Sequence, residues 1–114
     1  MQIAIVGAGP SGLWSSILLA RSGHRVTIID SQAPWEKPCG GGLTYKAWSQ
    51  YPFLSADGTP RKVVRQSVLA SPKCTPAVLE LDQPLLIFSR FDLNGLLLAR
   101  AQRASAQLEQ TRVL

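Results

Sequence analysis

The chain has 114 residues, 46% of them apolar and 17% charged, which suits one ordinary globular domain and excludes intrinsic disorder. Its longest apolar stretches, around Ile17–Ala20 and Leu96–Ala99, fall far short of the ~20 residues that span a bilayer, and Met1–Val6 lacks the basic region of a secretory signal, so a cytoplasmic location is expected. A net charge of +5 suggests an anionic partner (phosphate, a diphosphate substrate or a membrane surface), but the basic residues form no stripe interleaved with aromatics, and nucleic acid is not expected.

Gln2–Val6 is a short apolar run with β-branched residues, closed by Gly7, and reads as a buried strand. Pro10–Ser22 reads as a helix. Pro10 suits the first turn, where a missing N–H costs nothing. Leu13, Trp14, Ile17, Leu18 and Ala20 give the helix a wide apolar face, and Gly23 fits the position just past its end. Val26–Ile29 reads as a second strand, ending at Asp30. Strand, helix and strand in this order make a βαβ unit with parallel strands and a right-handed crossover.

From Ser31 to Pro60 the chain is rich in proline and glycine and reads as irregular, with one short helix at Leu43–Gln50. Three strand-like runs follow, Lys62–Ala70, Ala77–Leu81 and Leu85–Ser89, separated by Pro72, Pro76 and Pro84. They suggest an antiparallel meander inserted into the parallel domain. A second helix is expected with Asp92 as its N-cap and Phe91 stapled onto Leu96; Leu93, Leu96, Leu97, Ala101 and Ala104 continue its apolar face. Gln107–Leu114 reads as the opening of a third parallel strand. The expected fold class is therefore α/β: a Rossmann-like FAD/NAD-binding βαβ with an inserted antiparallel β-meander. It forms one nucleotide-binding domain over residues 1–114, truncated at the third strand with its sheet half covered.

Gly7-Ala8-Gly9-Pro10-Ser11-Gly12 is a GxGxxG placed between the first strand and the first helix, and each glycine has a task there. Gly7 permits the tight turn out of the strand, Gly9 lets backbone approach a diphosphate, and Gly12 lets the helix pack on the sheet. The anion then sits at a helix N-terminus, where free N–H groups and the dipole favour it. Asp30 completes the pattern by accepting hydrogen bonds from ribose hydroxyls at the end of the second strand. Ser31 and Gln32 follow with no adjacent arginine, so the site should prefer FAD or NAD to NADP.

Cys39 and Cys74 are too few for a disulfide framework and lack metal-ligand spacing with the single His24, so no metal is expected. Cys39 reads more simply as a small hydrophobe than as a redox group. Trp14, Trp35, Trp48 and Tyr51 read as core or rim packing. Nothing marks His24, or any other residue, as a catalytic base, and the catalytic residues stay unassigned.

The combination of MQIAIVGAGPSGLWSSILLARSGHRVTIID, the later KPCGGGLT and then FSRFDLNGLLLARAQ resembles the amino-terminal third of the geranylgeranyl reductase-like group. That group belongs to the FAD-dependent oxidoreductases with the p-hydroxybenzoate hydroxylase fold. The resemblance runs from residue 2 to about residue 114; Lys37-Pro38-Cys39-Gly40-Gly41-Gly42 and Arg90-x-Asp92 discriminate more than the opening motif. It implies FAD held by Gly7, Gly9, Gly12 and Asp30, with Cys39, Gly40, Gly41 and Gly42 near the isoalloxazine ring. Arg100 resembles an arginine that often contacts FAD phosphate or ribose in this class.

The activity so implied is reduction of isoprenoid double bonds, hydride passing from NAD(P)H or another reductant through FAD, with peripheral contact to a membrane. The group's second FAD-contacting segment, with its Gly-Asp pair, and its substrate domain have no counterpart here. The chain alone is accordingly expected to be an inactive amino-terminal fragment. The alternatives are an FAD-dependent monooxygenase, a non-catalytic NAD- or ADP-binding module, and a truncated product that aggregates through an unfinished sheet edge.

Overall fold

The computed structural model describes residues 1–114, with ten elements in chain order: β1 (Gln2–Val6), α1 (Pro10–Arg21), β2 (Arg25–Ile29), β3 (Gly42–Leu43), α2 (Tyr45–Ser49), α3 (Phe53–Ala56), β4 (Lys62–Ser71), β5 (Cys74–Ile87), α4 (Arg90–Arg103) and β6 (Gln107–Glu109). They fall into two units. The first joins Met1–Pro38 to Arg90–Leu114, and the second is Cys39–Ser89.

In the first unit β2 is the central strand of a parallel sheet ordered β1-β2-β6, so the expected βαβ is present. Val26 and Ile28 of β2 point to the helical side, where Leu13 and Ile17 of α1 and Leu93, Leu97 and Ala101 of α4 complete a closed core. Both helices pack on that one face and on each other. The opposite face carries Gln2, Ala4 and Val6, all exposed. Helix α1 ends as expected. Gly23, at φ +84°, donates its N–H to Ala20 O and His24 N–H reaches Leu19 O, the paired bonds of a Schellman cap. Helix α4 ends in the same pattern, with Ser105 in the left-handed position at φ +74°.

Two expectations change at α4 and β6. The helix starts at Arg90, two residues before Asp92, because the carboxylate of Glu36 accepts from Arg90 N–H at 2.9 Å and Phe91 N–H at 3.3 Å. Asp92 lies in the first turn instead of capping it, and Phe91 is half exposed, which leaves no staple. The third strand is shorter than expected. Its partner β2 ends at Ile29, the last rung is Asp30 N–H to Glu109 O, and Thr111 N–H then turns back to Glu109 O.

The second unit holds an antiparallel sheet ordered β3-β5-β4. The expected meander is a single hairpin, because the runs on either side of Pro84 form one continuous strand, β5. Both internal prolines fall where the β4–β5 register shifts, Pro84 between Leu85 and Glu80 and Pro76 between Ala77 and Cys74. A proline has no N–H to give a ladder, and a bulge is where none is needed. Helix α2 starts at Thr44, whose hydroxyl accepts from Ala47 N–H, and Trp48 donates its indole N–H to Pro84 O at 3.2 Å.

Candidate dinucleotide site

The loop between β1 and α1 bears out the turn expected at Gly7 and the close packing expected at Gly12. Gly7 sits at φ +99°, a conformation that side chains disfavour. A Cβ on Gly12 would overlap the carbonyl oxygen of Gly7, so helix and strand can approach only here without one. At Gly9 a Cβ would meet nothing within 4 Å. Its freedom from a side chain serves no neighbour in the fold and leaves room for a ligand.

Gly9 is also the N-cap of α1, in extended conformation, and no side chain caps the helix. The first turn has no acid, and Pro10 contributes no N–H. The positive end of the dipole and the amides of Ser11 and Gly12 are thus available to an anion. Ala8 is fully buried and donates its N–H to Asp30 Oδ2 at 2.8 Å. Gln32 N–H donates to Oδ1 of the same carboxylate at 2.9 Å. Asp30 therefore stands at the mouth of the loop, held by one amide on each oxygen, with lone pairs left on both for hydroxyl donors.

Gly7, Asp30 and Ser31 line one cleft together with Trp35 and Arg112. Gln110 ties the loop after β2 to the segment after β6 by donating Nε2–H to Ala33 O at 2.9 Å. Arg112 corrects a sequence argument: no arginine adjoins Asp30 in the chain, but one enters its cleft from the segment after β6. Discrimination against a 2′-phosphate therefore cannot rest on the absence of arginine.

The remaining expected residues lie elsewhere. Arg100 does not join the loop. It lines a cleft with Arg21, the last residue of α1, at the end of that helix away from Gly9. In the second unit, Cys39 and Gly40 are exposed. Gly41, at φ +67°, is committed to the end of β5. Its carbonyl accepts from Phe88 N–H, and a Cβ there would overlap Phe88 O. Gly42 meets the Ile87 side chain, whereas Gly40 has open space around it.

Of two polar atoms that have no partner within the fold, the donor Arg90 Nε supports the loop's fit to a dinucleotide, whereas the acceptor Asn94 Oδ1 has nothing to offer a phosphate. Arg90 Nε and Asn94 Oδ1 are buried without hydrogen bonds, one turn apart on α4. Because α4 leads into β6 as α1 leads into β2, both helices start at the same sheet edge. An unsatisfied buried donor there is costly unless a ligand meets it. The donors and the open glycine suit a diphosphate. Arg90 carries no role in its sequence motif alone, and no local pattern marks Asn94 or Glu36 as a functional or capping group.

The fold is the one shared by Rossmann-type FAD-binding flavoproteins, and residues 1–44 match the FAD binding domain family. More narrowly, the chain is 46% identical over 47 residues to the menaquinone reductase of Mycobacterium tuberculosis, covering 40% of this chain and 12% of that protein. It superposes on a geranylgeranyl bacteriochlorophyll reductase-like protein from Thermoplasma acidophilum with a TM-score of 0.66 at 20% identity, covering 95% of this chain and 30% of the other. On p-nitrophenol 4-monooxygenase from Pseudomonas putida the TM-score is 0.76 at 14% identity, covering 95% and 32%. The chain spans 12 to 14% of the length of the curated relatives it matches. The likeness to reductase-like and monooxygenase folds agrees with the resemblance carried by the sequence motifs. No helix is long and apolar enough to cross a membrane.

Proposed function

We propose that the chain is the FAD-holding part of a flavin-dependent oxidoreductase that acts on a small-molecule substrate. The uncapped, acid-free N-terminus of α1, with open space at Gly9 and Asp30 at its mouth, carries the reading. The diphosphate would lie against the amides of Ser11 and Gly12, Asp30 would accept from the ribose, and Arg90 would donate Nε–H to a phosphate oxygen. The Asp30–Trp35–Arg112 cleft would take the adenosine end. By the resemblance, Cys39, Gly40, Gly41 and Gly42 would belong to the isoalloxazine end, with Gly40 offering the open approach.

When bound, FAD supplies hydride chemistry, while the protein supplies binding, orientation and electrostatics. The finer proposal is reduction of an isoprenoid double bond with a nicotinamide nucleotide as reductant, supported by the reductase matches. A monooxygenase is the second reading, favoured by the closer superposition on p-nitrophenol 4-monooxygenase. Consumption of dioxygen in step with substrate separates the two.

Separate titrations of the purified chain with FAD and with NAD, followed by gel filtration and absorbance near 450 nm, test the shared part. Retained yellow colour is the expected result, with affinity falling about tenfold or more in Asp30→Ala, as for the loss of charge-assisted bonds. Retention of NAD with no affinity for FAD would overturn the flavin in favour of a nucleotide-binding module.

A further inference from the structure

The acids of the first unit all stand at one sheet edge. Asp30 follows β2, Glu109 ends β6, Asp92 lies in the first turn of α4 and Glu36 caps that turn, so all four acids of the unit stand where the strands end. Where the strands begin stand Arg25, paired through its N–H to Met1 O, and the arginines that close the two helices. No acid of this unit shares that edge.

Three of the cations converge there. Arg21 in the last turn of α1 and Arg100 and Arg103 in the last turn of α4 line one cleft of about 270 Å³ with Ala104. A helix C-terminus attracts a basic side chain through its dipole, which accounts for a cation at each helix end. Three arginines lining one cleft also make it a local concentration of positive charge. Such a concentration attracts an anion, and planar guanidinium forks match the oxygens of phosphate bidentately. The volume is several times the ~30 Å³ share of a water molecule, which leaves room for a phosphoryl group. The cleft lies at the opposite end of α1 from Gly9, about 18 Å away at 1.5 Å per residue, and so stands apart from the dinucleotide loop.

We propose that the Arg21–Arg100–Arg103 cleft is a second anion site that binds a phosphate group, carried either by a soluble phosphorylated compound or by a phospholipid headgroup. Two probes distinguish these sources: inorganic pyrophosphate by titration calorimetry, and sedimentation with phosphatidylcholine vesicles with and without phosphatidylglycerol. Arg21 and Arg103 are exposed, so Arg21→Gln with Arg103→Gln should fold normally and keep the affinity for FAD. Binding of at least one probe is expected to weaken tenfold or more in this double variant. A control with the same loss of charge, Lys62→Gln with Lys73→Gln in the other unit, should bind as the unaltered chain does. Saturable pyrophosphate binding lost in the arginine variant alone identifies a soluble ligand; loss confined to anionic vesicles identifies a headgroup. If neither probe binds, or if both double variants lose affinity equally, the cleft is no site and the proposal is overturned.

Discussion

Helices α1 and α4 start at the same edge of one parallel sheet, pack side by side and lead into its successive strands, but their first turns are treated in opposite ways. The start of α4 is closed. A carboxylate 54 residues distant in sequence, Glu36, takes the N–H groups of Arg90 and Phe91, and Asp92 adds negative charge in the first turn. The start of α1 is open, with no acid, no side-chain cap and a glycine facing empty space. Since every helix start presents unsatisfied amides, the fold supplies a partner where the terminus is structural and withholds one where a ligand is to come.

Three substitutions sharpen or break this comparison. The largest effect is expected at Gly12, where Ala must displace the Gly7 carbonyl. Gly12→Ala should cost about 3 kcal/mol of stability, the upper range for overpacking, or prevent folding, as read by urea denaturation. At Gly9 the expectation reverses. Gly9→Ala fills space that no protein atom uses, so the urea midpoint should hardly move while FAD affinity drops about tenfold, or ~1.4 kcal/mol. A stability loss as large as that of Gly12→Ala would make Gly9 a packing glycine and remove the contrast. Glu36→Gln should give the smallest effect and the complementary pattern, a loss of about 1 kcal/mol or less that high salt diminishes, with FAD affinity intact. Loss of flavin binding in that variant would mean that the two helix starts are not independent.

The second unit shows a different balance between local and distant cause. Pro76 and Pro84 read as strand breaks, yet β5 runs through both because its register against β4 shifts beside each. Gly41 was read as a glycine for a cofactor, and its conformation answers first to Phe88. In each case a neighbour remote in sequence changed the meaning of a residue whose local preference was read correctly.

What the sequence determined by itself is what short-range sterics and hydrogen bonding impose. The glycine loop, Pro10 opening α1 and the cap at Gly23 depend on residues a few positions apart, and the βαβ follows from three short elements in succession, so their pattern is visible in the chain. Tertiary structure decided the rest. It brought Glu36 to the start of α4, Arg112 into the cleft of Asp30, and Arg100 to Arg21 instead of to the loop. It also left Arg90 Nε and Asn94 Oδ1 buried without partners. Those pairings form only when distant segments fold onto one sheet, and no local periodicity encodes which side chains will meet there.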